Sequence, residues 1–259
     1  MWTTRSVARS SGFGLMDTRN RKVALVAALK REVWPVVKRW TACEREFDGR
    51  KFTFFANEQA VVVCGGIGAD AARRAAEAII QLYNPTAVES VGFAGALVPE
   101  LEVGTVIEIK LVIDARDGSR AESPRGDWTL VSTGSIAGVA QKAKLAQTYG
   151  AHAVDMESAA VVRAAQSHRI PFLALKVISD AHDFEMPQME RFVTHNGRFR
   201  TRRFFFFALL RPWLWPAIVR FARNSKKAAM ALCKRLDQYN RKGEIAQGQP
   251  DLRPRTVSH

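Results

Sequence analysis

The chain of 259 residues is poor in the groups that usually build metal and redox sites. It has three cysteines and five histidines. Cys43, Cys64 and Cys233 are far apart, odd in number and without ligand spacing. No disulfide framework is expected from them, and no Cys/His cluster suits zinc. A reduced, cytoplasmic protein without metal or other cofactor is the resulting expectation. No apolar run reaches the ~20 residues that a membrane span requires. The longest candidate, Phe204-Phe205-Phe206-Phe207-Ala208-Leu209-Leu210, meets Arg211 and Pro212, and Pro216 follows. The basic stretch Met1 to Met16 lacks the apolar centre of a signal peptide. Acidic residues are scarce at the two ends. Residues 1–22 carry net +4 and residues 191–259 net +13, whereas residues 23–190 carry net −3. The overall +14 therefore says little about the partner of the central body.

Strand-like and helix-like segments alternate through that body. Val23–Leu29 reads as a buried strand and Glu32–Trp40 as a helix interrupted by Pro35. Lys51–Ala56 and Ala60–Cys64 suggest a hairpin about Asn57-Glu58-Gln59. Ala69–Tyr83 has helical periodicity, stopped by Asn84-Pro85. Ala87–Gly92, Thr105–Ile113, Trp128–Thr133 and Ala151–Val154 read as strands, with a helix near Val139–Tyr149. Arg116–Asp127, rich in charge, Gly and Pro, reads as a surface loop. A helix from Ser158 to His168 and a buried strand Phe172–Ile178 complete the pattern. The expected fold is a single α/β domain with a central mixed, largely parallel β-sheet flanked by helices, plus a C-terminal helical appendage. The expected boundaries are a basic, disordered leader over 1–22, a catalytic domain over 23–190, a basic aromatic helical appendage over 191–240 and a disordered tail over 241–259.

Two carboxylates stand out within this pattern. Val154-Asp155-Met156-Glu157-Ser158 joins a short strand to a helix, and Val177-Ile178-Ser179-Asp180 ends a buried strand. Ligand sites of open α/β sheets collect at the carboxyl ends of strands, which makes Glu157 and Asp180 chemical candidates. Acids at these places also serve as ordinary helix caps and first-turn residues.

The ordered set resembles the nucleoside phosphorylase and nucleosidase superfamily, whose members cleave the N-glycosidic bond of purine nucleosides. Besides Val154–Ala160 and Val177–Asp180, the resemblance rests on two further regions. One is Val23–Val33, with Lys30-Arg31-Glu32. The other is Gly65-Gly66-Ile67-Gly68-Ala69-Asp70, continued by Ser90-Val91-Gly92-Phe93-Ala94-Gly95 and Leu101–Val106. The tail from Glu190 through Leu236, with His195-Asn196-Gly197-Arg198, resembles the hopanoid-associated branch, linked to removal of adenine from an adenosylated hopane lipid.

That resemblance implies roles for particular residues. Asp180 would protonate ring nitrogen 7 of the departing purine, with Ser179 orienting it; burial at a strand end would help the carboxyl keep its proton near neutral pH. Glu157 would accept hydrogen bonds from the ribose hydroxyls, and Met156 would pack on the sugar or in the core. Glu32 would activate water, as in the hydrolytic members; phosphorolytic members hold phosphate with glycine and arginine instead. The loop Ala28-Leu29-Lys30-Arg31-Glu32 has no glycine, and a carboxylate repels a phosphate dianion. Water is thus the favoured nucleophile, with phosphate as co-substrate the alternative. Phe93, Ala94 and Gly95 would line the substrate, Phe93 replacing a small hydroxyl residue and suiting an apolar 5′ substituent or the core. Ser135 and Ile136 would lie over the purine.

Two rival readings come from the residues themselves. Gly66-Ile67-Gly68-Ala69-Asp70-Ala71 has the form of a dinucleotide-binding fingerprint, with Glu89 about 20 residues later. It does not open the first strand–helix unit and leaves the two carboxylate motifs unexplained. The tail mixes Arg198, Arg200, Arg202, Arg203, Arg220, Arg223, Lys226 and Lys227 with Phe and Trp. This suits peripheral contact with an anionic membrane surface through residues 198–227, at the inner face. Nucleic acid is the less favoured partner of the same chemistry, and packing on the body or a second subunit is the structural alternative. The expected ligand is a small-molecule or lipid-linked adenine nucleoside, bound by a homo-oligomer.

Overall fold

The computed structural model describes residues 22–185, 192, 194 and 211–242. Residues 1–21, the whole Phe204–Leu210 run with Arg198, Arg200, Arg202 and Arg203 before it, and residues 243–259 lie outside the described part. The elements in order are β1 (Val23–Ala27), α1 (Lys30–Val37), β2 (Thr41–Phe47), β3 (Arg50–Ala56), β4 (Ala60–Cys64), α2 (Ala69–Tyr83) and β5 (Ala87–Ala96). There follow β6 (Val106–Asp114), β7 (Arg120–Glu122), β8 (Trp128–Ser132), α3 (Val139–Tyr149), β9 (Ala153–Asp155), α4 (Ser158–Ser167) and β10 (Phe172–Asp180). A short 3-10 turn, Pro212–Leu214, leads into the long helix α5 (Trp215–Lys242).

The strands form one mixed sheet in the order β10-β6-β8-β9-β5-β1-β4-β3-β2, with β7 beside β6. At its centre β1 pairs in parallel with β4 and β5, and β5 in parallel with β10. β5 is ten residues long and almost wholly buried. That length lets it pair with β1 over its first half, β10 along most of its course and β9 at its end. Because β10 also pairs with β6, the five strands β10-β6-β8-β9-β5 close into a ring. The parallel strands β1, β5 and β10 deliver their carboxyl ends to one edge, where a site is expected.

Two departures from the sequence expectations have simple causes. β2 was not expected, because Thr41–Phe47 is exposed along most of its length and has no alternating apolar face to betray it. Its pairing with β3 supplies the strand. The loop expected over Arg116–Asp127 contains β7, held by pairing Ile113 with Arg120 and Leu111 with Glu122.

Alanine-rich α2 and α4 pack closely on the sheet. A β-carbon at Gly65 would lie 2.7 Å from that of Ala75, so the end of β4 approaches α2 as only glycine permits. On the other side, α5 buries Ala228, Leu232, Cys233 and Leu236 against Val33, Val36 and Val37 of α1 and Leu175 and Val177 of β10. Its apolar stripe thus completes the core over β1 and β10. Among the described residues, no helix is long and apolar enough to cross a membrane.

Candidate active site

The ten candidate residues come together around one cleft of about 150 Å³. Glu32, Phe93, Ala94, Gly95, Ser135, Ile136, Met156, Glu157, Ser179 and Asp180 all line it. They arrive from the ends of β1, β5, β8, β9 and β10, separated by up to ~150 residues of chain. Lys142 and Phe221, which the sequence reading did not include, also line it, as does Arg31 of the first strand–helix loop. A larger hollow of about 430 Å³ lies between the β2–β3 hairpin and α2, bordered by Arg50, Arg73, Arg74, Asp48 and Glu77. Its charges lie on the surface, and no buried acid faces it. The smaller cleft holds the groups capable of acid–base chemistry.

Glu32 stands in the first turn of α1 and is only 3% exposed. Its Oε2 accepts a hydrogen bond from the Leu29 amide at 3.2 Å. Burial pushes its pKa up to about 7; the negative charge of Glu157 adds to the rise, and the Leu29 amide, Lys176 and Arg31 oppose it. A carboxyl poised near neutrality is suited to exchange protons with water at working pH. Lys30 is turned away from this pocket, with its ammonium 4.1 Å from the centre of the Trp34 ring and 5.1 Å from that of Phe55.

Glu157 precedes α4 and is partly buried. Its Oε1 accepts from the Gly68 amide at 2.8 Å and its Oε2 from its neighbour's amide, Met156, at 3.2 Å. Burial again raises the carboxyl to about 7, the nearby Asp155 adds to this, and Lys176 and the two amides pull it down. The Gly68 contact decides the meaning of the Gly66–Ala71 fingerprint. The Gly68 amide at the head of α2, where a dinucleotide's pyrophosphate would sit, is engaged by this chain's own carboxylate.

Beneath both acids runs a buried polar network. The Lys176 ammonium lies 3.0 Å from Asp155 Oδ2 and donates to Ser90 Oγ at 2.9 Å. Ser132 Oγ donates to Asp155 Oδ1 at 2.5 Å, and the Ser158 amide and hydroxyl donate to Oδ2 at 3.0 and 2.6 Å. Ser132 in turn accepts the Ala159 amide at 3.0 Å. Every member has a partner, the condition under which a buried polar cluster rigidifies rather than destabilises. The network ties β8, β9, β10 and α4 together and fixes the loop that presents Met156 and Glu157.

Asp180 ends β10 beyond a register irregularity between Ile178 and Asp180, which turns its side chain towards the cleft. It is 4% exposed. Ser179 Oγ donates to its Oδ1 at 2.7 Å. Lys142 of α3, itself 2% exposed, donates to its Oδ2 at 2.5 Å and to the Ala181 carbonyl at 2.7 Å. Sequence reasoning missed Lys142 because Gln141-Lys142-Ala143-Lys144 looks like a solvated helix face. Missed for a different reason, Lys176 and Asp155 lie in or beside apolar runs and look like lone polar interruptions.

The other candidates form the walls. Phe93 is partly buried, packs against the core shared by β1, α1 and α5, and also faces the cleft. It stands at the boundary between core and cleft. Phe221 of α5 borders the same cleft and stacks on Phe184 at 6.4 Å between ring centres. Ser135 is exposed and Ile136 partly so. They lie in the bend after β8, where the Thr133 hydroxyl donates to the Ser135 carbonyl at 2.8 Å. Among the described residues no group of His, Cys, Asp and Glu could hold a metal ion.

A family model described as "Phosphorylase superfamily" matches residues 22–127 and 128–203, most of the chain. The chain belongs to the phosphorylase superfamily. Within this superfamily the chain is a glycosidic-bond-cleaving enzyme, in keeping with its relatives. It is 24% identical over 195 residues to the aminodeoxyfutalosine nucleosidase of Campylobacter jejuni, covering 61% of this chain and 85% of that protein. Its fold is similar to that of the futalosine hydrolase of Helicobacter pylori (TM-score 0.65, 18% identity, 86% of this chain and 98% of the other). It is equally similar to the 5′-methylthioadenosine/S-adenosylhomocysteine nucleosidase of Helicobacter pylori (TM-score 0.66, 17% identity, 86% and 99%).

Proposed function

We propose that this superfamily member hydrolyses the N-glycosidic bond of an adenine nucleoside, releasing adenine and a free ribose derivative. The observation that carries the reading is the convergence of Glu32, Glu157 and Asp180 in one cleft whose first strand–helix loop has no glycine. The relatives named above, nucleosidases and a hydrolase, support it.

As the bond from sugar carbon 1 to the purine breaks, its electron pair moves into the base and positive charge builds on the sugar. Asp180 hydrogen-bonds and protonates nitrogen 7, held in place by Ser179. Glu157 accepts the ribose hydroxyls, and Met156 covers the sugar face. Water adds to carbon 1 and gives its proton to Glu32. Ser135 and Ile136 lie along the base, while Phe93, Ala94 and Gly95 form the wall beneath the sugar. Acid, base and water suffice, so no cofactor enters the scheme.

Phosphorolysis of the same bond is the second reading, because the Arg31 guanidinium borders the cleft. Glu32 stands against it, since an ionised carboxylate repels phosphate at the position the anion would need.

The finer reading is a substrate with an apolar, lipid-like 5′ substituent, as in the hopanoid-associated branch. Phe93 and Phe221 at the cleft support it. So does the exterior of α5 and its leading turn, where Trp213, Trp215, Val219 and Met230 are exposed beside Arg220, Arg223, Lys226 and Lys227. Peripheral contact with anionic lipid through residues 198–227, a homo-oligomeric state and a cytoplasmic setting at the inner membrane face belong to this proposal.

The test is adenine release from adenosine, 5′-methylthioadenosine and a 5′-alkyl adenosine, each with and without phosphate. Free ribose products at rates independent of phosphate support hydrolysis. Ribose 1-phosphate formed only with phosphate would overturn it, and no adenine from any substrate would reject the function altogether.

A further inference from the structure

Deepening the hydrolytic reading, on which it rests, we infer that Lys142 is a positioning residue that holds the proton Asp180 passes to the leaving base. Three observations lead there. Lys142 and Asp180 are both almost fully buried, at 2% and 4% exposure, and their charged atoms lie 2.5 Å apart. Both also border the cleft. A buried pair of this kind is costly to assemble for stability alone, because desolvation offsets most of the attraction. Structural pairs can also be replaced by apolar packing, which makes a pair at a cleft wall a candidate for function.

The geometry specifies the path. Lys142 has three protons to donate. One is directed at Asp180 Oδ2 and one at the Ala181 carbonyl. Asp180 Oδ1 accepts from Ser179, and a carboxylate with about four lone-pair positions retains capacity for a further partner in the cleft. When the glycosidic bond breaks, nitrogen 7 gains basicity. A proton moves from the Lys142 ammonium to Asp180, and Asp180's proton moves to nitrogen 7. The carboxylate is restored, Lys142 is left as a neutral amine, and the charge lost from lysine is matched by the charge neutralised on the base. Lysine suits this role because its amine can give up a proton inside a protein, whereas a guanidinium cannot.

Glu185 lies at the head of α3, where its Oε2 accepts the Val139 amide at 3.3 Å. Across the cleft, Glu32, Asp155 and Glu157 are grouped about Lys176, and Arg31 borders the opening. The Lys142 ion pair is made with Asp180.

The experiment follows adenine release from 5′-methylthioadenosine by the full chain between about pH 5 and pH 9, the range over which a general acid reveals its titration. Wild type, Lys142→Met, Lys142→Arg and Asp180→Asn are compared, with thermal unfolding recorded for each. Lys142→Met should approach the wild-type rate at the acid end, where Asp180 takes a proton from water. It should fall by about 100-fold at the alkaline end, the size of a general-acid contribution. Lys142→Arg should keep the ion pair and the unfolding temperature yet lose rate in the same pH-dependent way. A loss by Lys142→Met that is equal at every pH would reduce Lys142 to a structural pin and overturn the inference. Full activity in Lys142→Arg would do the same by making charge alone sufficient. A wild type that releases no adenine would instead defeat the functional reading beneath it.

Discussion

Oε2 of Glu32 lies 2.9 Å from where a β-carbon on Gly92 would stand. The next glycine along β5 repeats the relationship, for a β-carbon at Gly95 would lie 2.8 Å from Asp180 Oδ2. One central strand thus makes room for both carboxyl groups proposed to do the chemistry. Gly92 also has φ +147°, a conformation other residues rarely adopt. Gly92→Ala is expected to displace Glu32 and lower kcat by at least about 10-fold, the consequence of moving a catalytic group by a fraction of its contact distance. Steady-state kinetics beside circular dichroism would check it; unchanged kcat in a folded variant would contradict the assignment of Glu32.

Glu32 sets the pH dependence on the acid side. Raised from 4.5 to about 7, it is protonated and unable to accept water's proton at low pH. The rate of the wild type should therefore rise as pH increases through about 7. Glu32→Gln should lose the rate by roughly 100-fold or more and flatten this limb. A profile of unchanged shape in Glu32→Gln would assign the limb to another group, with Glu157 the first alternative because it titrates in the same range.

Glu89 provides a stability test away from the cleft. It is buried in β5, and desolvation lifts its carboxyl to about 7, with Glu108 adding and Arg125, Arg235 and Lys176 opposing. A folded-state pKa above the unfolded value means that the native chain binds more protons between about pH 4.5 and 7. Stability should therefore decline as pH rises through that window and stay reduced above it. Glu89→Gln should be more stable than wild type at pH 8 and lose that advantage near pH 4, as read by thermal melts. A melting difference that does not vary with pH would refute this account.

The Lys176–Asp155 pair predicts a larger effect. Lys176→Met leaves Asp155 buried and without its cation, a change that costs about 3–5 kcal/mol. Urea unfolding should show that loss, and activity should fall with it as the Met156–Glu157 loop loosens. A variant within 1 kcal/mol of wild type, a threshold near the usual value of one hydrogen bond, would show that the network contributes little to holding the site.

At the cleft mouth, Phe221→Ala removes a ring that α5 contributes. The expected outcome is a KM for 5′-alkyl adenosines raised by about 10-fold, the effect of losing apolar contact worth 1–3 kcal/mol, with KM for adenosine nearly unchanged. Equal changes for both substrates would remove Phe221 from substrate selection.

Much of this protein was legible before folding because local physics reads it out. Apolar runs without polar breaks, such as Val23–Ala27 and Phe172–Ile178, announced buried strands. Acids placed where such runs end marked Glu157 and Asp180 as candidates, and the resemblance to the nucleosidases added Glu32. The helical period of Ala69–Tyr83 and the stop at Asn84-Pro85 needed no tertiary information either. β2 escaped because an exposed edge strand carries no period, and α5 looked like an appendage although its buried stripe closes the core.

What only the tertiary structure decided are the relationships between charges. Lys142 and Asp180 are 38 residues apart, and Lys176 lies among three acids drawn from two other parts of the chain. Sequence determines which residues seek burial, since hydrophobic periodicity is local. Which charge meets which in the dry interior depends on strand order, and strand order is set by the packing of the whole sheet.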